Sequence, residues 1–240
     1  PNTWVPIESP NRPRIYRDWG TAAIDAVGGK IYRWSGGHSS YSGNDVLEYD
    51  IATNRFSISF RAEQPLEWIE STTGVPGSVS FQGRPFLSAH SYKMYAFVPA
   101  LGKIAVVKSP YTYFFDPIRR DFESSPIYFD FKDERDNVLV AACGSGLIAW
   151  SIDGVFFLEN GANSWRKLAN AFSESGTPHR DSSTLVYDSK RNRVLFFPAG
   201  NGAPGQVFAG DLASNVPTAL QPRGMKGLQE AFPSPEFNNK

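Results

Sequence analysis

The feature that most constrains this chain is a pattern that recurs four times along it: two short apolar strands across a tight turn, a variable loop, then an aromatic strand ending in an acid. The strand pairs read GTAAIDAVGGKIYRWSGG from Gly20 to Gly37, SYKMYAFVPALGKIAVV from Ser91 to Val107, IYFDFKDERDNVLVAACG from Ile127 to Gly144, and STLVYDSKRNRVLFFPAG from Ser183 to Gly200. Each sets a turn rich in Gly, Asn, Asp or Lys between two β-prone runs, which is the local chemistry of a hairpin. The third strands are VLEYD, TYFFD, VFFLE and VFAGD, ending at Asp50, Asp116, Glu159 and Asp211. Six residues beyond the first three acids stand Phe56, Phe122 and Trp165, where the fourth copy has Pro217.

The acids lie 66, 43 and 52 residues apart, bracketing the roughly 40 to 50 residues of a four-stranded propeller blade. The expected fold is therefore an all-β propeller with about four recognisable blades of four antiparallel strands, spanning approximately 15–60, 84–124, 125–170 and 178–217. The long first interval carries an insertion over 61–83, whose EQPLEWIES stretch suits a short helix or a protruding loop. Composition agrees, with 14% aromatics and 21 Gly and 18 Pro punctuating short segments. The strand-terminal acids read as carboxylates that accept backbone N–H groups of the following turn. The aromatics read as blade-to-blade packing.

At the start of the chain, Asn2-Thr3-Trp4 matches Asn163-Ser164-Trp165, so residues 1–7 are expected to close the ring as the outer strand beside Val207 to Asp211. The remainder, 218–240, reads as an irregular tail. A competing account, that the chain is part of a larger propeller with further blades, stays open.

The stretch SGGHSSYSGNDVLEYDIATNRF, Ser35 to Phe56, resembles the Kelch family at its diagnostic motif: a di-glycine ending strand two, a loop, an aromatic strand, then an N-x-[WF] close. The resemblance covers roughly residues 15 to 217 and implies blades of four antiparallel strands around a central channel, as in the propeller of galactose oxidase and many bacterial exported proteins. The di-glycine occurs only at Gly36 and Gly37, with CG, PAG and KSP elsewhere. Such a resemblance speaks to fold rather than to activity. The copper oxidase site of that relative needs a Cys joined to a Tyr, a second Tyr and two His. Only Cys143 is available, in a strand that calls for a small buried residue.

Charge and motifs narrow the function. The 24 basic and 24 acidic residues cancel, without a Lys/Arg stripe, so no nucleic-acid partner is expected. No apolar run approaches the roughly 20 residues of a transmembrane helix. The lone Cys143 excludes an internal disulfide and clustered cysteine ligands for zinc. Opening at Pro1 instead of Met fits either a removed leader or a fragment, and the first places the protein among secreted or periplasmic ones.

There is no G-x-S-x-G elbow, no H-E-x-x-H and no phosphate loop. Antiparallel succession brings all three histidines to one end of the sheets, giving a candidate binding surface of Asp18, Trp19, His38, Tyr41, His90, Tyr92, Lys108, Tyr111, His179, Arg180 and Asp181. No recognised metal spacing links them, so neither metal nor cofactor is expected. The reading is an exported binding or scaffolding module that contacts a protein or glycan. Two alternatives stand beside it. One is a propeller hydrolase, lyase or sugar isomerase with His90, His179, Arg180 and Asp181 at the channel mouth. The other is a subunit of a larger assembly that docks through its open-looking ends and the Glu63 to Ser71 part of the insertion.

Overall fold

The computed structural model describes residues 8–11, 20–36, 43–63, 80, 82–85, 91–131, 138–151, 153–169, 179–199, 207–211 and 218–220, and of 169, 179–182, 198–199, 211 and 218–220 it describes the backbone alone. The described chain is all-β, without a helix, and forms four antiparallel sheets whose strand order follows the sequence. The first sheet comprises β1 (Ala23–Asp25), β2 (Lys30–Trp34), β3 (Val46–Asp50) and β4 (Arg55–Phe60). The second comprises β5 (Tyr95–Val98), β6 (Lys103–Lys108), β7 (Tyr111–Asp116) and β8 (Asp121–Phe122), with β9 (Ile127–Tyr128) pairing β7 beyond the end of β8. In the third are β10 (Leu139–Cys143), β11 (Gly146–Ser151), β12 (Gly154–Glu159) and β13 (Arg166–Ala169). The fourth holds β14 (His179–Asp188), β15 (Arg193–Ala199), β16 (Val207–Asp211) and β17 (Thr218–Leu220). Such four-stranded meanders are the blades of a β-propeller. The chain divides into two compact units, Pro1–Ala171 with the first three sheets and Phe172–Lys240 with the fourth.

The turns show why these hairpins form. Five of them are four-residue loops whose last residue is left-handed: Gly29 (φ 63°), Asn54 (φ 54°), Gly102 (φ 63°), Arg120 (φ 55°) and Asn192 (φ 50°). In three of them the acid before the loop caps it. Asp25 Oδ1 accepts N–H bonds from Val27 and Gly28, Asp50 Oδ1 from Thr53 at 2.8 Å, and Asp116 Oδ1 from Ile118 and Arg119. For Asp50 and Asp116 this is the turn-capping role expected of the strand-terminal acids. Tyr49 donates its hydroxyl to Asn54 Oδ1, and Tyr187 does the same to Asn192, each at 2.8 Å. A Tyr-Asp-x-x-x-Asn sequence therefore builds the same turn in two sheets.

Within the first unit β5 packs against β1 on one side and β10 on the other, so the first strands of successive sheets adjoin. The second sheet is buried on both faces, which explains why KIAVVK and YTYFFD read as continuous apolar runs. Ile104, Val106, Tyr113 and Phe115 turn toward Tyr32, Trp34 and Val46 of the first sheet. Ala105, Val107 and Phe114 turn the other way, toward Val140, Leu147, Ala149, Phe156 and Leu158 of the third. Two of the repeat aromatics bridge these layers as expected. Phe122 meets Phe60 edge-on at 5.5 Å, and Trp165 donates its indole N–H to Thr112 Oγ1 at 3.0 Å while packing on Phe131. Phe56 instead packs within its own sheet on Tyr49.

The structure redraws three boundaries. The repeat pattern pairs IYFDF with VLVAAC in the third copy, but Ile127 and Tyr128 pair with Thr112 and Tyr111 of the second sheet. Leu139–Cys143 is the first strand of the third sheet, and GLIAWS is its second, across a tight turn at Gly144 and Ser145. The physical reason is the short β8, which with Glu123 just after it covers only Phe114 to Asp116 and leaves the start of the β7 edge open. Phe129 and Phe131 then stack at 4.1 Å in the core between sheets, and burying each is worth about 2 kcal/mol.

At the chain's far end, β17 lies within the segment read as an irregular tail and pairs with Val207, Phe208 and Ala209. The outer place beside β16, assigned to residues 1–7, is held by this strand. Residues 1–7 lie outside the described set. The segment just after them runs along the edge of β4, where Asn11 accepts the N–H of Phe56 and donates to its carbonyl, and Ser9 bonds the carbonyl of Asn54.

The base of the insertion is pinned by Arg84. Its guanidinium grips both carboxylate oxygens of Asp121 at 2.7 Å, reaches Glu63 at 3.0 Å and lies over the Phe60 ring. Glu63, once a possible docking residue, is thus held internally, and its other oxygen accepts from Asn44 at 2.6 Å. Residues 64–79 lie outside the described set.

Candidate binding surface

Strand alternation puts the β2–β3, β6–β7 and β11–β12 connections at one end of the first three sheets, together with the starts of β1, β5 and β10. Three of the expected surface residues are described at this end of the second sheet. Lys108 and Tyr111 pair across the β6–β7 turn, and Tyr92 lies just ahead of β5. Lys108 is buried, whereas Tyr92 and Tyr111 are half-buried.

In the fourth sheet, His179 opens β14 and pairs with Ala199, the last residue of β15, so it occupies the corresponding end of its own sheet. Arg180 and Asp181 follow it in the strand, and the side chains of all three lie outside the described set. Asp18, Trp19, His38, Tyr41 and His90 also lie outside it. Among the described residues, no three His, Cys, Asp or Glu side chains converge as a metal-ligand set.

Sequence reasoning missed the most exposed aromatic at this end. Tyr128 is directly opposite Tyr111 in the β7–β9 pairing and stands 61% exposed. Tyr111 links it edge-on, at 5.9 Å, to a line that continues into Tyr113 at 6.0 Å. Tyr113 is buried, and loss of hydration pushes its phenol well above the ordinary range, so it remains neutral. The available signal is the β-prone pair Ile127-Tyr128, which the repeat pattern places in the third sheet and the structure places in the second. Just ahead of β5, Ser91 is fully buried, and the Lys93 carbonyl accepts the N–H of Val140 at 2.8 Å, tying the second and third sheets together. Burial also lowers the Lys93 ammonium pKa.

At the opposite end lies a cleft of about 200 Å³ between the β5–β6 turn and the turn that follows β12. Its floor is Val98, Phe114, Leu147 and Leu158, all buried, flanked by Leu101 and Ile127. Lys103 and Glu123 pair at 2.5 Å on its lip, and Glu159 stands beside them, exposed.

Consecutive antiparallel meanders with adjoining first strands define a β-propeller protein. No family model matches the chain, and no curated protein matches it. Among solved structures the chain is similar to one from the crystal structure of a nidogen/laminin complex, with a TM-score of 0.52 and 13% sequence identity. The match covers 84% of this chain and 64% of that one, so this chain spans less than two thirds of the other's length. The likeness shows the fold alone.

Proposed function

We propose that this protein is a Kelch-related binding module that offers the Tyr111 and Tyr128 end of its sheets to a protein partner. The observation that carries the reading is the Tyr128 ring, exposed on a sheet edge and braced by Tyr111. An anchored aromatic of this kind brings large contact area with little side-chain entropy to lose, which is how interface hot spots are built. The similar solved structure being a complex of two proteins accords with this. The Kelch relation rests on the sequence motif, in which Gly36, the first residue of the di-glycine, takes a left-handed φ of 87°.

The test is affinity capture from the source material on immobilised protein, alongside a glycan array. A specific protein captured by the native chain and lost with Tyr128→Ala, at unchanged thermal stability, supports the proposal. Capture that survives Tyr128→Ala, or a glycan ligand in place of a protein, overturns it.

A further inference from the structure

The cleft between the second and third sheets has dimensions and charge that specify an occupant. At about 200 Å³ it falls below the roughly 300 to 1,000 Å³ of pockets that enclose a drug-sized ligand. It exceeds the approximately 150 Å³ that accepts a benzene ring. One large apolar side chain fills such a space. Its floor is apolar on every side, with Val98 and Phe114 from the second sheet and Leu147 and Leu158 from the third. A guest side chain would therefore be desolvated against both sheets at once.

The lip adds direction. Lys103 and Glu123 neutralise each other at 2.5 Å. Asn160 turns its amide away, donating to the Gly144 carbonyl at 3.2 Å. Among the described lining residues, what remains is the exposed carboxylate of Glu159, which gives them a net negative charge. Its position is set by the backbone. Gly146 pairs with Glu159, and a Cβ at Gly146 would fall 2.0 Å from the Leu158 carbonyl oxygen, so only glycine lets β12 lie close enough to place Leu158 in the floor and Glu159 on the lip.

From this geometry we infer that the cleft is an anchor site for a partner polypeptide presenting a Phe or Leu side chain beside a Lys or Arg. The apolar side chain enters between the sheets and the cation meets Glu159. The mouth lies at the turn end of the sheets, while Ile127 at the cleft's edge adjoins Tyr128 in β9.

The experiment is a titration of the isotopically labelled protein, followed by amide chemical shifts, with the capped pentapeptides Gly-Lys-Phe-Lys-Gly, Gly-Glu-Phe-Glu-Gly and Gly-Lys-Ser-Lys-Gly. The first should move the amides of Leu101, Glu123 and Gly161 in a saturable manner, and the other two should not. Glu159→Lys, at an exposed position, should weaken the first peptide by about fivefold or more through loss and reversal of one charge contact. Ser125→Trp, which sets an indole over the mouth, should abolish the shifts while leaving the melting temperature unchanged. Equal binding of the acidic peptide, shifts confined to residues away from the cleft, or benzylamine binding as tightly as the lysine peptide would each overturn the inference.

Discussion

Replacing Arg84 by Met tests whether a single side chain staples the insertion to two sheets. The substitution leaves an apolar side chain beside Phe60 and removes the guanidinium, whose central carbon sits 5.3 Å from the centre of that ring. Three well-formed charge-assisted bonds are lost: two to Asp121 at 2.7 Å and one to Glu63 at 3.0 Å. Exposure decides the magnitude. An exposed ion pair is worth about 0 to 1 kcal/mol, while breaking a fully buried one costs about 3 to 5 kcal/mol. The side chains of Arg84, Glu63 and Asp121 are 19%, 13% and 35% exposed, between those limits. Glu63 keeps its bond to Asn44, and Asp121 can rehydrate.

A loss of about 2 kcal/mol follows. For a chain of this size that is a fall of roughly 4 to 8 °C in melting temperature. The guanidinium beside Asp121 holds its carboxyl below the usual carboxylate range. A carboxyl whose pKa is depressed on folding contributes stability above its unfolded pKa of about 4 and loses it as pH falls through the lower folded value. The gap between native chain and variant should accordingly be full at pH 7 and shrink below about pH 4. Urea unfolding followed by tryptophan fluorescence at pH 7 and pH 3 measures both. A difference under about 0.5 kcal/mol at pH 7, or one that does not shrink in acid, or strict additivity with Asp121→Asn, would refute the argument.

Two further substitutions probe the turns and the contact between sheets. Arg120→Gly should stabilise the protein by about 0.5 to 1 kcal/mol, because a non-glycine residue at φ 55° pays a steric penalty that glycine does not; a lower urea midpoint would refute it. Trp165→Phe should cost about 1 to 2 kcal/mol by leaving the fully buried Thr112 hydroxyl without its indole donor. Thr112→Val in the same chain should recover part of that loss, and a double variant no better than Trp165→Phe alone would count against the bond.

Much of the fold was legible because its signals are local. Each third strand ends on the acid the repeat assigned to it, and at Asp50 and Asp116 the carboxylate accepts N–H groups of its own turn. Lys108 and Tyr111 were placed at one end of the second sheet by counting strand reversals alone. The cleft was not legible. Its wall residues, Val98, Phe114, Leu147 and Leu158, come from separate hairpins and look like ordinary core positions along the chain.

The sequence by itself determined that the chain is a series of antiparallel meanders, because side-chain alternation, turn chemistry and the repeat are properties of a few neighbouring residues. Only the tertiary structure decided which edge each ambiguous strand joins. Ile127 and Tyr128 have the same β-prone pattern whether they begin the third sheet or complete the second, and Thr218 to Leu220 carry too short a pattern to announce a strand at all. Both were settled by unpaired backbone groups elsewhere: the part of β7 that β8 leaves uncovered, and the free edge of β16. An edge recruits whatever extended segment the packing brings beside it, and that proximity is not written in the segment itself.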